Sequence, residues 1–269
     1  MTFTPVRRVA LATFALAMLG GTLAACGSDD EPASTGSAAA ASPERVIVSA
    51  AASLKQALTS YGDGFDGGDV RLSFAGSDEL AAQIRQGIKP DVFAAANVKL
   101  PDRLFEEGLV AKPVRFATNE LVLAVPADGG AVTSLADLTT NGTTLAIGAE
   151  GVPVGDYTRT VLERLPAARS EAILMNVRSN EPDVGGIVGK LTQGAVDAGF
   201  VYRSDVEGAG GKLTAIELPD ELEPTVEYGV ALVRGAKNPT GGQAFVDGLL
   251  EGAGARALQD NGFGPPAGP

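Results

Sequence analysis

Several short stretches of this chain place a hydroxyl group or a free amide where an apolar run gives way to an amphipathic one. Ala50-Ala51-Ala52-Ser53-Leu54 is the first, with Gln56 three residues beyond the serine in the spacing of a capping box. Phe74-Ala75-Gly76-Ser77 repeats the arrangement. A serine at a helix start offers an O–H donor beside unpaired backbone N–H groups and the positive end of the helix dipole. Two such serines on neighbouring strand ends can therefore converge on an anion without any cationic side chain. Gly151-Val152-Pro153-Val154-Gly155-Asp156-Tyr157 also follows a strand and opens a helix. Proline fixes that turn, glycine admits close backbone approach, and the Val154 amide points out of the loop. Asn180-Glu181-Pro182-Asp183-Val184 is another helix start, with acids and proline in its first turn. Taken singly, each stretch also reads as a well-capped helix and nothing more. Tyr202 closes a buried strand, where its phenol either donates to an anion or packs at a surface. Arg203 is discounted as an anion ligand, because the residue after Tyr202 on an extended segment points the other way.

The rest of the composition removes competing chemistries. Histidine is absent and Cys26 is the only cysteine, which excludes Ser-His-Asp and Cys-His catalysis and any histidine- or thiolate-based metal site. Ser53 is followed by Lys55 at two residues, where a Ser-Lys pair on a helix needs three. Gly185-Gly186-Ile187-Val188-Gly189-Lys190-Leu191 resembles a phosphate-binding loop, but its glycine spacing is one residue short and Leu191 replaces the required hydroxyl. The formal charge is −12, and residues 1–25 contribute Arg7 and Arg8 without an acid, so the chain beyond them stands at −14. Such acidity argues against nucleic acid and anionic head groups. It does not exclude an anionic ligand, since surface charge is screened beyond roughly 8 Å at physiological salt.

The elements that must position these groups alternate almost without pause. Apolar runs at 46–50, 70–75, 91–95, 120–126, 144–148, 172–177, 196–202, 213–216 and 226–233 predict strands. Amphipathic stretches at 53–61, 77–86, 97–107, 134–138, 155–165, 181–193, 239–250 and 253–260 predict helices. Alternation of this kind means α/β with mostly parallel, covered sheets. A body of about 225 residues has room for two lobes, with ligand beyond the carboxyl ends of the strands. No internal repeat is visible in the sequence.

The amino-terminal stretch has a basic head at Arg7 and Arg8, an apolar run from Val9 to Leu19 and small residues before Cys26, as a secretory signal does. Leu23-Ala24-Ala25-Cys26 resembles a bacterial lipobox, in which Cys26 is acylated. Residues 27–42 hold no aromatic residue and no aliphatic one larger than alanine, and read as a disordered tether.

Together the motifs resemble the molybdate-binding periplasmic components of ABC transporters. The resemblance rests on 50–54, on 74–77 with Leu80-Ala81-Ala82-Gln83-Ile84, and on Asp91-Val92-Phe93, Asn119-Glu120-Leu121-Val122-Leu123 and Pro153-Val154-Gly155-Asp156-Tyr157. It extends to Asp183-Val184, Ala198 through Asp205, Glu227-Tyr228 and Asn261-Gly262-Phe263. It implies a two-lobed periplasmic-binding-protein fold, each lobe a mostly parallel sheet flanked by helices, with the ligand in a cleft between them. The implied boundaries are a lipoprotein signal over 1–25, a tether over 26–43, a first lobe of 44–120 plus 228–269, and a second lobe of 121–227. Crossing strands are expected near Thr118–Leu123 and Val226–Val230. The implied ligand set is Ser53 and Ser77 from the first lobe and Val154, Val184 and Tyr202 from the second. No cation site or cofactor is implied, since molybdenum enters only as the oxyanion. The implied function is capture of molybdate, with tungstate hard to tell apart, by a monomer. That monomer is lipid-anchored outside the cell membrane and serves an ABC permease and its ATPase subunit. Rival readings are the same fold tuned to tungstate, sulfate or phosphate, an exported hydrolase, or an adhesion module. Asp78 departs from the family pattern beside Ser77 and is expected to point outward from its helix start.

Overall fold

The computed structural model describes residues 45–267, so the signal, Cys26 and the tether lie outside the described residues. Strands β1 (Val46–Ala51), β2 (Val70–Ala75), β3 (Val92–Ala95), β4 (Val114–Asn119) and β10 (Val226–Leu232) form one sheet, in the order β2-β1-β3-β10-β4. Strands β5 (Leu121–Pro126), β6 (Leu145–Gly148), β7 (Val177–Glu181), β8 (Ala198–Tyr202) and β9 (Leu213–Ile216) form the other, in the order β7-β6-β8-β5-β9. In each sheet a single strand runs against the rest. β10 is antiparallel to both β3 and β4, and β5 to both β8 and β9. The sheets are thus mostly parallel and share one topology, a correspondence that leaves no repeat in the sequence. β1, β3, β5 and β8 are buried nearly throughout, as near-continuous apolar strands covered on both faces must be.

Helices α1 (Lys55–Asp63), α2 (Ser77–Arg85), α3 (Lys99–Glu106), α8 (Pro239–Glu251) and α9 (Ala253–Gln259) pack on or beside the first sheet. Tyr61, Phe65 and Phe245 form an aromatic cluster, with ring centroids 4.6–5.6 Å apart, that ties α1 to α8. Around the second sheet lie α4 (Pro153–Glu163), α5 (Ala167–Met175), α6 (Val184–Thr192) and α7 (Arg203–Gly208). The chain crosses between sheets at Glu120 and again between Ile216 and Val226.

Some expected elements differ. Residues 172–177 were expected as a strand, yet most belong to α5, where only Ile173 is buried while Leu174 and Met175 are exposed. Pro166 starts that helix, and Ala167-Ala168-Arg169-Ser170-Glu171 extends it, so helix formers outweigh the short apolar run. β4 is not anticipated, because its outer residues are exposed and only Phe116, Ala117 and Asn119 are buried. The helix expected near 134–138 is a 3-10 turn, Asp137–Thr139, where the Asp137 carboxylate gathers the N–H and hydroxyl groups of Thr133 and Ser134.

Candidate functional site

The parallel register of β1 and β2 sets Ala51 opposite Ala75, and each strand continues two residues to a serine. Ser53 lies in a 3-10 turn, Ala52–Leu54, and Ser77 is the first residue of α2; both side chains are buried. The Ser77 Oγ accepts the Ala96 N–H at 3.0 Å. Its own hydrogen is therefore left to donate elsewhere. Ser53 does not form the expected capping box. Its Oγ lies 2.9 Å from the Tyr228 hydroxyl, while Gln56 donates to the Gly208 carbonyl across the cleft at 2.9 Å. Close packing next to the cleft wins over local capping there.

In the second sheet, β6 runs into α4 by a very tight backbone approach. A β-carbon at Gly155 would lie 2.1 Å from the Ala149 carbonyl oxygen, so the helix start can sit there only with glycine. Val154 then follows Pro153 in the first turn of α4, and Val184 opens α6. Their amides have no carbonyl partner within their own helices. Asp183 caps α6 by accepting the Gly186 N–H at 3.1 Å. Tyr202 ends β8 with its hydroxyl oxygen enclosed and without a hydrogen-bond partner. Burial pushes that phenol well above its ordinary range, with Tyr228 and Tyr157 adding to the shift. It stays neutral and keeps a proton to give.

One cavity of about 20 Å³ is lined by Ser53, Ser77, Val154, Val184 and Tyr202 together. Pockets for organic ligands run to roughly 300–1,000 Å³, so this space suits a small ion. Among the described residues that line it none is cationic, and its only acid, Asp183, is engaged with Gly186. The two sheets' loops meet at its mouth, where a β-carbon at Gly76 would lie 2.4 Å from the Pro182 carbonyl oxygen. Arg203 is bound to Glu120 and Glu217, outside the cavity. Asp78 corrects its expectation. It does not point free into solvent: its Oδ1 is enclosed without a partner beside Gly76, although the residue is not part of the cavity lining. Burial raises its carboxyl group, partly offset by the N–H groups of Asp78 and Glu79.

Residues without a role in the sequence reading complete the surroundings. Ala96 and Tyr228 hold the two serine oxygens, and Asn119 donates to Ser204 at 2.8 Å beside Tyr228. Glu227-Tyr228 and Asn119-Glu120 stood among the motif matches, but nothing local links them to serines so far along the chain.

The profile described as bacterial extracellular solute-binding protein matches residues 38–264. The molybdate-binding protein ModA of Mycobacterium tuberculosis is 35% identical over 256 residues, covering 93% of this chain and 95% of that one. ModA of Escherichia coli K12 is 31% identical over 231 residues, covering 81% and 88%. Among solved structures, the periplasmic molybdate-binding protein of Azotobacter vinelandii has the same fold, with a TM-score of 0.74 at 21% identity, covering 82% of this chain and all of the other.

Proposed function

This chain belongs to the bacterial extracellular solute-binding protein family, and from that premise we propose that it captures molybdate and hands it to an ABC import permease with its ATPase subunit. One observation carries the choice of ligand. The cavity gathers three hydroxyl groups and two helix-start amides, with no cationic side chain. Hydrogen bonds to a charged partner contribute roughly 1.5–3 kcal/mol each. Several such donors supply the roughly 8–12 kcal/mol of micromolar to nanomolar binding after ordering costs. A site built of donors prefers a fully deprotonated tetrahedral ion. Molybdate and tungstate, nearly equal in size, are both accepted.

In this reading residues 44–120 with 228–269 act as one lobe and 121–227 as the other, and ligand holds them together for the permease to recognise. Acylation of Cys26 keeps the monomer at the outer face of the cell membrane. The step is binding, and no bond in the ligand is made or broken.

Calorimetric titration of the purified protein with molybdate, tungstate, sulfate and phosphate tests this. The expected result is one-to-one binding of molybdate and tungstate, sulfate and phosphate being far weaker, with Ser77→Ala and Tyr202→Phe each costing about tenfold or more in affinity. Tighter binding of sulfate or phosphate would keep the fold and overturn the ligand.

A further inference from the structure

We propose that Gln56 is a positioning residue of the anion site: its bond to Gly208 latches the two lobes together over the ligand and slows release without touching it. The proposal rests on the oxyanion reading above and deepens it.

The 3-10 turn Ala52–Leu54 runs straight into α1, so Gln56 stands three residues beyond Ser53 on one continuous helical stretch of the first lobe. In the second lobe α7 starts directly after Tyr202 and ends at Gly208. Each stretch therefore brings a hydroxyl group to the cavity at its beginning and a partner of the Gln56–Gly208 bond further on. Neither Gln56 nor Gly208 lines the cavity itself.

The Gln56 Nε2 donates to the Gly208 carbonyl at 2.9 Å. That carbonyl belongs to the last residue of its helix, where no further turn supplies an N–H, so a donor from another element is what it lacks. The fit is close, since a β-carbon at Gly208 would lie 2.5 Å from the Gln56 Oε1. The same end of α7 meets the first lobe a second time, where the Glu207 carboxylate packs against Gly262. A bond that runs from one lobe to the other forms only once the lobes have come together, after the anion has entered. It acts on escape and leaves entry alone.

Stopped-flow measurement of molybdate association and dissociation tests this on the purified protein, with two variants that break the bond from opposite sides. Gln56→Ala removes the donor. Gly208→Ala keeps the carbonyl and favours the helix, but its methyl group takes the place of the Gln56 amide, the end of a flexible side chain that can swing away. The bond is open to water, which sets its effect toward the lower end for a hydrogen bond. The expected result is dissociation about threefold faster in each variant, with association unchanged. Both substitutions remove one contact, so the double variant should also dissociate about threefold faster, where independent effects would multiply to about ninefold. A dissociation rate unchanged in both variants, a loss carried by slower association, or a double variant near the product of the two overturns the latch and leaves the molybdate reading standing. Wild-type protein that binds none of molybdate, tungstate, sulfate and phosphate overturns that reading and the latch with it. Gly208→Ala carries the test by itself if Gln56→Ala folds poorly, since its dissociation must still quicken with association unchanged.

Discussion

Asp205 sits two residues after the start of α7 and accepts the Tyr202 N–H at 3.0 Å, within three residues of the anion cavity. The residue is partly exposed, and burial pushes its carboxyl group up to about 7, with Asp183 adding to the rise and the Tyr202 N–H opposing it. An unfolded aspartate titrates near 3.9, so between about pH 4 and pH 7 the folded chain binds the extra proton. Its share of stability is therefore greatest at the acid end of that window and is lost as pH rises through 7. Asp205→Asn, which cannot ionise, should gain on the wild type as pH rises. Melting curves at pH 5, 6, 7 and 8 check this, and an offset that stays constant across them would sink it. Neither the surroundings that raise Asp205 nor the Ser53–Tyr228 bond is legible in the sequence, because both depend on residues brought in from elsewhere in the fold. The helix-start serines and amides are legible, since a strand end followed by a capped helix carries its own geometry, and the structure gathers these four together with Tyr202 around one cavity.

At the scale of elements, closure depends on how nearly the loop after β2 approaches the loop after β7. Gly76 has φ −58° and ψ 137°, which alanine adopts without strain. Neighbours forbid a side chain, because the Pro182 carbonyl oxygen occupies its space and the Asp78 Oδ1 lies 2.8 Å away. Gly76→Ala should leave the ligand-free melting temperature within a few degrees of wild type while weakening molybdate about tenfold or more, as the methyl group props the loops apart. Equal affinity with normal folding would show that these loops need not touch for binding. Sequence periodicity places most elements within a few residues, and its failures share a cause. At 172–177 an apolar run is mistaken for a buried strand, although two of its large side chains face solvent. β4 escapes notice because its register against β10 hides only part of its surface, leaving too few apolar residues to form a pattern.

For the whole molecule, alternation of strands and helices reads directly as covered sheets, but strand order and the one reversed strand in each sheet do not. Those follow from the two crossings, which lead directly into β5 and β10, the strands that run against the rest of their sheets. The same scale sets how an anion reaches the cavity. A chain of formal charge −12 repels molybdate at long range, whereas the hydroxyl and amide donors that hold it are enclosed. The Debye length shrinks from about 30 Å at 0.01 M salt to about 8 Å at 0.15 M, so salt removes the repulsion felt on approach and leaves the enclosed contacts nearly untouched. Stopped-flow measurement over that range should show the molybdate association rate rising with an inert salt such as sodium chloride, while the dissociation rate stays within about twofold. An association rate that falls with salt would mean that a local positive field at the cleft mouth outweighs the acidic surface, and that the neutral donors alone do not govern capture.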